Sequence, residues 1–375
     1  MKKKIIQVVP SFNVGGAESL VRNYLTNMDR DKYEIEAFVT GNRLDSSIEQ
    51  DLLNNSIKVT FLSELYNVNV KLPNIIKRLF VSIKWRRAIR KFFKISRPDV
   101  VHCHLSVARA LIVAKKELSH AKLFYTVHSD PDKYWANGKN PDEQQAIKYF
   151  VKKNALTFIA LHKEAESKIR FYFGNNCNIR ILNNAVDLEK YIFTPEQRKE
   201  MRSKLKISDN AFVIGHVGRF LPVKNHDFLL DVFKLVVTER PESILCMVGD
   251  GELRDTIEKK AQALGVIASV KFLGNRSDVP QILSIFDAFV FPSLWEGFPL
   301  TLIEAQAARL PCFVSDKVNH CVEITNHVTF LALSSGAKDW ARAILDHRNE
   351  EFIDKSLSQY GITSVIEKLM GIYGI

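Results

Sequence analysis

Cysteine is scarce and unpaired in this chain. Five occur in 375 residues (Cys103, Cys177, Cys246, Cys312, Cys321), scattered and with no Cys-x-x-Cys pair. That spacing excludes a disulfide framework and a zinc knuckle and predicts a reducing compartment. Long apolar runs are missing too. No stretch approaches the roughly eighteen residues a membrane-spanning helix needs. Met1-Lys2-Lys3-Lys4 has the basic head of a signal peptide, but the apolar segment Ile5–Val9 is too short and runs into Pro10-Ser11-Phe12. It reads as a buried first strand. Internal repeats and low-complexity tracts are absent.

Acidic residues are missing from one place. Lys71 to Pro98 holds ten basic residues and no acidic one. The net charge is +11, and outside this patch 43 basic residues face 42 acidic ones. Ile75, Ile76, Leu79, Phe80, Trp85, Ile89, Phe92 and Phe93 interleave with the cations. A basic amphipathic helix of this kind reads as a peripheral membrane element meeting anionic lipid heads through Arg78, Lys84, Arg86, Arg87, Arg90 and Lys91. The alternative is a solvated helix of a soluble protein. No nucleic-acid motif accompanies the patch, so nucleic acid is not expected as a partner. At 100° per residue, Ile76, Leu79, Phe80 and Ile83 share a face, while Trp85, Ala88, Ile89 and Phe92 lie nearly opposite. That switch predicts a bend or break near Lys84, with the second half packed on a sheet.

The length is that of two to three domains. Short apolar runs alternate with helical stretches throughout. Strands are predicted at Lys4–Val9, Tyr33–Val39, Lys58–Leu62, Val100–Cys103, Leu123–Val127 and Thr157–Leu161. A second series follows at Phe212–Val217, Ile244–Val248, Val270–Leu273, Ala288–Phe291 and Pro311–Val314. This alternation predicts an α/β fold of two doubly wound parallel-sheet domains facing across a cleft, 1–190 and 191–357. A polar stretch, Tyr191–Asp209, separates the two series of strands. Ligands of such sheets bind beyond the carboxyl ends of the strands.

The most informative segment is Pro292-Ser293-Leu294-Trp295-Glu296-Gly297-Phe298-Pro299-Leu300-Thr301-Leu302-Ile303-Glu304. Pro299 belongs in the first turn of a helix. Glu296 then sits on the preceding loop and Glu304 about one turn inside. The free N–H groups between them, near Phe298, Leu300 and Thr301, form an anion site flanked by two acceptors for hydroxyl groups. A sugar nucleotide has that chemistry. The plain alternative, two glutamates on a solvated helix face, does not need Gly297-Phe298-Pro299.

Other segments end on predicted strands. Asn13-Val14-Gly15-Gly16 opens the first helix, where glycines allow close approach of a phosphate or serve only a tight turn. His102 and His104 end one strand and read as structural, because two ligands on one face do not make a zinc site. His128 ends another strand and is the better candidate to touch substrate. Arg219 and Lys224 follow Gly215-His216-Val217-Gly218 and can neutralise a diphosphate, or stand as ordinary surface cations. Gly249 and Gly251 shape a turn, and Asn275 ends a strand that can present backbone to a base.

The ordered set, from Gly15-Gly16-Ala17-Glu18 through Thr126-Val127-His128, Val217-Gly218-Arg219, Lys224, Val248-Gly249-Asp250-Gly251 and Phe272-Leu273-Gly274 to Glu296 and Glu304, resembles the retaining glycosyltransferases of family 4, which have the GT-B fold. The nearest look is to bacterial exopolysaccharide and capsule enzymes. The resemblance implies a nucleotide-sugar donor, by default a UDP-sugar, and a lipid-linked oligosaccharide acceptor. Glu304 would hold the ribose and Glu296 the donor sugar. Arg219, Lys224 and the Phe298 and Leu300 amides would grip the diphosphate, Gly16 would approach it, and His128 would sit beside the sugar. The donor set is completed by Gly15, Gly249, Asn275, Gly297, Pro299 and Thr301. The final helix, about 358–375, would pack back on the first domain. No metal or other cofactor is expected. The protein would sit in the cytoplasm, peripheral at the inner face of the cell membrane. Asn184-Ala185-Val186-Asp187 departs from the family's Asn-Gly-Val-Asp, Leu310 stands where a glycine is usual, and a Ser common after the preceding strand is replaced near Leu161-His162. A GT-B nucleotide-sugar 2-epimerase and an inactive glycosyltransferase-like subunit are the competing readings.

Overall fold

Valine, isoleucine and phenylalanine crowd the strand segments, and nearly all are fully buried. Parallel sheets covered by helices on both faces require this. The computed structural model describes residues 2–13, 15–66, 74–348 and 351–375, with the side chains of 74–80 set aside. Lys71 therefore lies outside the described residues, as does Val14. The chain divides into two compact units, Met1–Ala185 with Ile362–Ile375, and Val186–Gly361.

The first unit has strands β1 (Lys3–Val9), β2 (Tyr33–Val39), β3 (Lys58–Phe61), β4 (Val100–His104), β5 (Lys122–Thr126), β6 (Thr157–Ala160) and β7 (Asn178–Ile181). Its helices are α1 (Gly16–Asn27), α2 (Ser47–Asn54), α3 (Asn74–Ser96), α4 (Ala108–Val113), α5 (Pro131–Trp135), α6 (Pro141–Lys152) and α7 (Lys163–Phe173). The second unit has β8 (Phe212–Val217), β9 (Ser243–Val248), β10 (Val270–Gly274), β11 (Ala288–Phe291), β12 (Cys312–Ser315) and β13 (Val328–Leu331). Around them lie α8 (Pro195–Lys204), α9 (His226–Glu239), α10 (Arg254–Ala263), α11 (Val279–Leu283), α12 (Leu300–Ala307) and α13 (Gly336–Asp346). The last helix, α14 (Ile362–Tyr373), belongs to the first unit and packs on α1.

All strand pairs are parallel. The sheets run β3-β2-β1-β4-β5-β6-β7 and β10-β9-β8-β11-β12-β13. Each has one point where the strand order reverses: between β1 and β4, and between β8 and β11. Loops leaving the carboxyl ends of those two strands diverge and leave a crevice.

Three findings differ from the sequence reading. Two strands, β7 and β13, were not foreseen. Both are sheet edges, and β7 buries only Ile179. An edge strand has a neighbour on one side only, and β13, though apolar in sequence, is only partly buried. The expected break at Lys84 is absent: helix α3 runs unbroken from Asn74 to Ser96. Its buried side is carried by Ala88, Ile89 and Phe93, with Phe92 stacked 4.1 Å from Phe38, so packing holds the second half in line. The polar stretch Tyr191–Asp209 holds an element of its own. It contains α8, capped by a reciprocal Thr194–Gln197 box. Arg202 of this helix is buried and donates to the carbonyls of Ser208, Asp209, Ala211 and Ile285 and to Asp287.

Candidate functional site

The reversal point of the second sheet gathers the residues singled out by sequence. After β8 the chain passes Gly218 and Arg219 and makes a tight turn, Pro222–Lys224. After β11 it runs through Pro292–Pro299 into α12. Three bonds tie the two loops together. Leu294 N–H donates to the Val223 carbonyl at 2.8 Å. Asn225 donates through Nδ2 to the Pro292 carbonyl at 3.2 Å. Lys224 Nζ donates to Glu296 Oε1 at 2.7 Å. Asn225 adopts a left-handed backbone, φ 56°, which asparagine tolerates better than most residues.

The Lys224–Glu296 pair is largely shielded, at 16% and 13% side-chain exposure. The ammonium also lies 4.8 Å from the centre of the Phe291 ring. Arg219, earlier in the same loop, is exposed and makes no ion pair among the described residues. Sequence reading assigned Lys224 and Glu296 to different parts of a ligand. In the structure they hold each other.

Pro299 stands one place outside the helix, as the cap of α12, rather than in its first turn. Phe298 is buried and stacks on Tyr360 at 5.7 Å, which anchors the loop before the helix. Leu300 and Thr301 are the first two helical residues. The Thr301 hydroxyl is buried with no hydrogen-bond partner among the described residues. Glu304 is the fifth residue of α12 and half-buried, and Gly297 is half-buried beside Glu296.

Gly249 has φ +127°, and a Cβ there would lie 2.2 Å from the Gly218 carbonyl oxygen. Only glycine allows this contact. Its amide donates to the Gly274 carbonyl at 2.8 Å, so the turn is used internally. Asn275 is exposed after β10, at the sheet edge and two strands from the reversal point.

Beneath the loops lies a histidine pair that sequence reading did not single out. His216 donates from Nδ1 to the Val290 carbonyl at 2.8 Å. His226 begins α9 and stacks on Phe220 at 4.1 Å. Burial lowers His216 to about 4 and His226 to about 2, so both are neutral. The signal available was a histidine inside an apolar strand, where a neutral ring is the usual form.

In the first unit, Gly15 caps α1 in an extended conformation and Gly16 is its first residue. A Cβ at Gly15 would meet Glu18 Oε2 at 2.5 Å. His128 follows β5, is half-buried, and bonds through Nε2 to His104 Nδ1 at 2.9 Å. Burial holds it well below the ordinary imidazole value. His104 continues to Gln7, and Gln7 to Tyr373 of α14. His102 bridges Tyr373 and Thr126. His102 and His104 are thus completely buried and internal. Gln7 in an otherwise apolar strand was the overlooked signal.

On α3, Arg86, Arg87, Arg90 and Lys91 are exposed and Lys84 is half-buried. Arg90 also donates to the Val113 carbonyl. The Arg78 side chain lies outside the described residues. Among the described residues no helix is long and apolar enough to cross a membrane.

Comparison with known proteins follows the same division. Residues 14–190 match the model of Glycosyltransferase Family 4, and residues 197–363 match that of Glycosyl transferases group 1. The chain is 28% identical to the putative glycosyltransferase EpsF of Bacillus subtilis, over 100% of this chain and 97% of that protein. It is also 28% identical to an Escherichia coli UDP-Gal:alpha-D-GlcNAc-diphosphoundecaprenol alpha-1,3-galactosyltransferase, over 86% of this chain and 85% of that one. The crystal structure of Anabaena Alr3699/HepE, in complex with UDP and glucose, superposes with a TM-score of 0.76 at 18% identity, covering 99% of both chains. The fold is that of the GT-B enzymes. With one domain model matching each half, and relatives of the same class aligned over most of their length, the chain belongs to glycosyltransferase family 4.

Proposed function

We propose that the protein transfers a hexosyl or N-acetylhexosaminyl group from a UDP-sugar, with retention, to a lipid-linked oligosaccharide in exopolysaccharide or capsule assembly. The observation that carries this reading is the joining of the β8 and β11 loops. It pairs Lys224 with Glu296 at the reversal point, on the loop that also carries Arg219 and ahead of the start of α12. The donor class draws support from the UDP named with HepE and the UDP-Gal named with the E. coli relative. The acceptor class draws support from that relative's diphosphoundecaprenol.

The chemistry follows from charge. Breaking the sugar–phosphate bond leaves an oxocarbenium-like centre and a diphosphate. In this reading Arg219 forks onto the diphosphate while Lys224 exchanges Glu296 for a phosphate oxygen. Glu296, once released, accepts from hydroxyls of the donor sugar. The N–H groups at the start of α12 add their dipole, and Glu304 holds the ribose. Cations preset at the leaving group supply the stabilisation a divalent metal would otherwise give. His128 lies beside the sugar, and the acceptor attacks from the face the diphosphate leaves, so no carboxylate serves as nucleophile. The exposed basic side of α3 holds the protein at anionic lipid on the inner face of the membrane.

The test is transfer from UDP-sugars to a lipid-diphosphate acceptor, run with a chelator present. Arg219→Ala and Lys224→Ala are each expected to lower the rate at least about a hundredfold while the fold persists. The product should keep the donor's anomeric configuration by NMR. Near-normal rates in both variants would sink the assignment.

A further inference from the structure

The polar chain behind His128 has a direction. Burial keeps His102 and His104 uncharged, so each ring offers one donor and one acceptor. Tyr373 is fully buried as well, and burial keeps its phenol protonated. Five hydrogen bonds join these groups. Gln7 Nε2 donates to Tyr373 Oη at 3.2 Å. Tyr373 Oη then donates to His102 Nδ1 at 2.6 Å, and His102 Nε2 donates to Thr126 Oγ1 at 2.6 Å. On the other side, Gln7 Oε1 accepts from His104 Nε2 at 2.8 Å. With its Nε2 protonated, His104 has a bare Nδ1, which accepts from His128 Nε2 at 2.9 Å. Every bond has one donor and one acceptor, and from Gln7 to His128 each assignment fixes the next.

The amide of Gln7 is the pivot. Turning it over would reverse the order at every histidine and place the proton of His128 on Nδ1 instead. Along the branch from Gln7 through His104 to His128 no mixture of the two orders satisfies both bonds, and an orphaned N–H at full burial is costly.

We propose that Gln7, held by Tyr373 of the last helix, is a positioning residue that fixes His128 in its Nε2–H tautomer and leaves Nδ1 bare as a hydrogen-bond acceptor. The ligand chemistry this suits is a hydroxyl donor, such as one hydroxyl of the donor sugar. That last step rests on the reading of His128 in the proposed function; the tautomer itself does not.

The experiment separates the two. Ring nitrogen NMR of the full-length protein with 15N-labelled histidine reports each tautomer without substrate, and His128→Gln identifies the His128 signals among the ten histidines. The wild-type protein is expected to show His128 protonated on Nε2 and bare on Nδ1. In Gln7→Leu, His104 no longer has an acceptor for its Nε2 proton. It is expected to move that proton to Nδ1, donate to His128, and drive the His128 proton to Nδ1. A wild-type spectrum with His128 protonated on Nδ1 overturns the proposal, and the wild-type reading needs no variant to fold. An unchanged His128 tautomer in folded Gln7→Leu overturns it too. In the transfer assay Gln7→Leu should lose about tenfold in kcat, the scale of one hydrogen bond turned from attraction to repulsion. If the tautomer shifts and the rate does not, the relay stands and His128 is removed from the sugar contact.

Discussion

At the residue scale the central fact is that Lys224 and Glu296 pair with each other. Removing one member of a shielded pair leaves the other charge without its counterion, whereas removing both does not. Lys224→Met and Glu296→Gln are each expected to cost about 2 kcal/mol in urea unfolding, and the double variant less than the sum. Additive losses would show that the pair contributes nothing mutual. The candidate site was legible to a fair degree at this scale. Residue types, order and strand ends placed Arg219 and Lys224 after β8, and Glu296 and Glu304 after β11, at the carboxyl ends of neighbouring strands. What sequence could not give was the partner of each charge, because a 2.7 Å contact between residues 72 apart depends on two loops meeting.

Element-scale packing explains residues whose types look unremarkable in sequence. Gly215 lies within β8, where a Cβ would stand 1.9 Å from the Phe286 ring. Gly215→Ala is therefore expected to lose about 3 kcal/mol or more by overpacking, read as a lower urea midpoint with an unchanged slope. Because β8 carries Arg219 directly after it, the same change should lower transfer as well. Helix α3 makes a different case. Its amphipathic pattern was legible, but the change of face at Lys84 suggested a break that packing of Ala88, Ile89 and Phe93 does not need. Ile83, Arg87 and Lys94 are exposed along one side of a single helix. Reversing the charge at Arg86, Arg87 and Lys91 should release the protein from anionic vesicles in a sedimentation assay, while leaving Arg90 its bond to the Val113 carbonyl. Undiminished pelleting would refute membrane docking by this helix.

At the scale of the whole molecule, buried neutral histidines set a common response to acid. His102, His104, His216 and His226 all titrate below the ordinary value of 6.5 when folded. Unfolded, they take protons near 6.5. Below that pH the unfolded chain binds more protons, so stability falls as pH drops, for His216 down to about 4. Each histidine contributes about 1.4 kcal/mol per pH unit across its window. Urea midpoints should fall steadily from pH 6.5 to 5. His226→Phe keeps the stack on Phe220 and should make the slope shallower by about one proton. An unaltered slope would mean that His226 is already protonated in the fold.

The sequence by itself determined the α/β alternation, the two series of strands and the chemistry at their carboxyl ends. Those follow from local preferences and from periodicities that each segment carries alone. Only the tertiary structure decided the rest. It added the edge strands β7 and β13, which are at most partly buried. It anchored α8 through buried Arg202, and it gave α14 its polar contact with the first strand, where Tyr373 meets Gln7 across 366 residues of chain. A buried polar group must find its partner wherever the fold brings one, and no local pattern records where that will be.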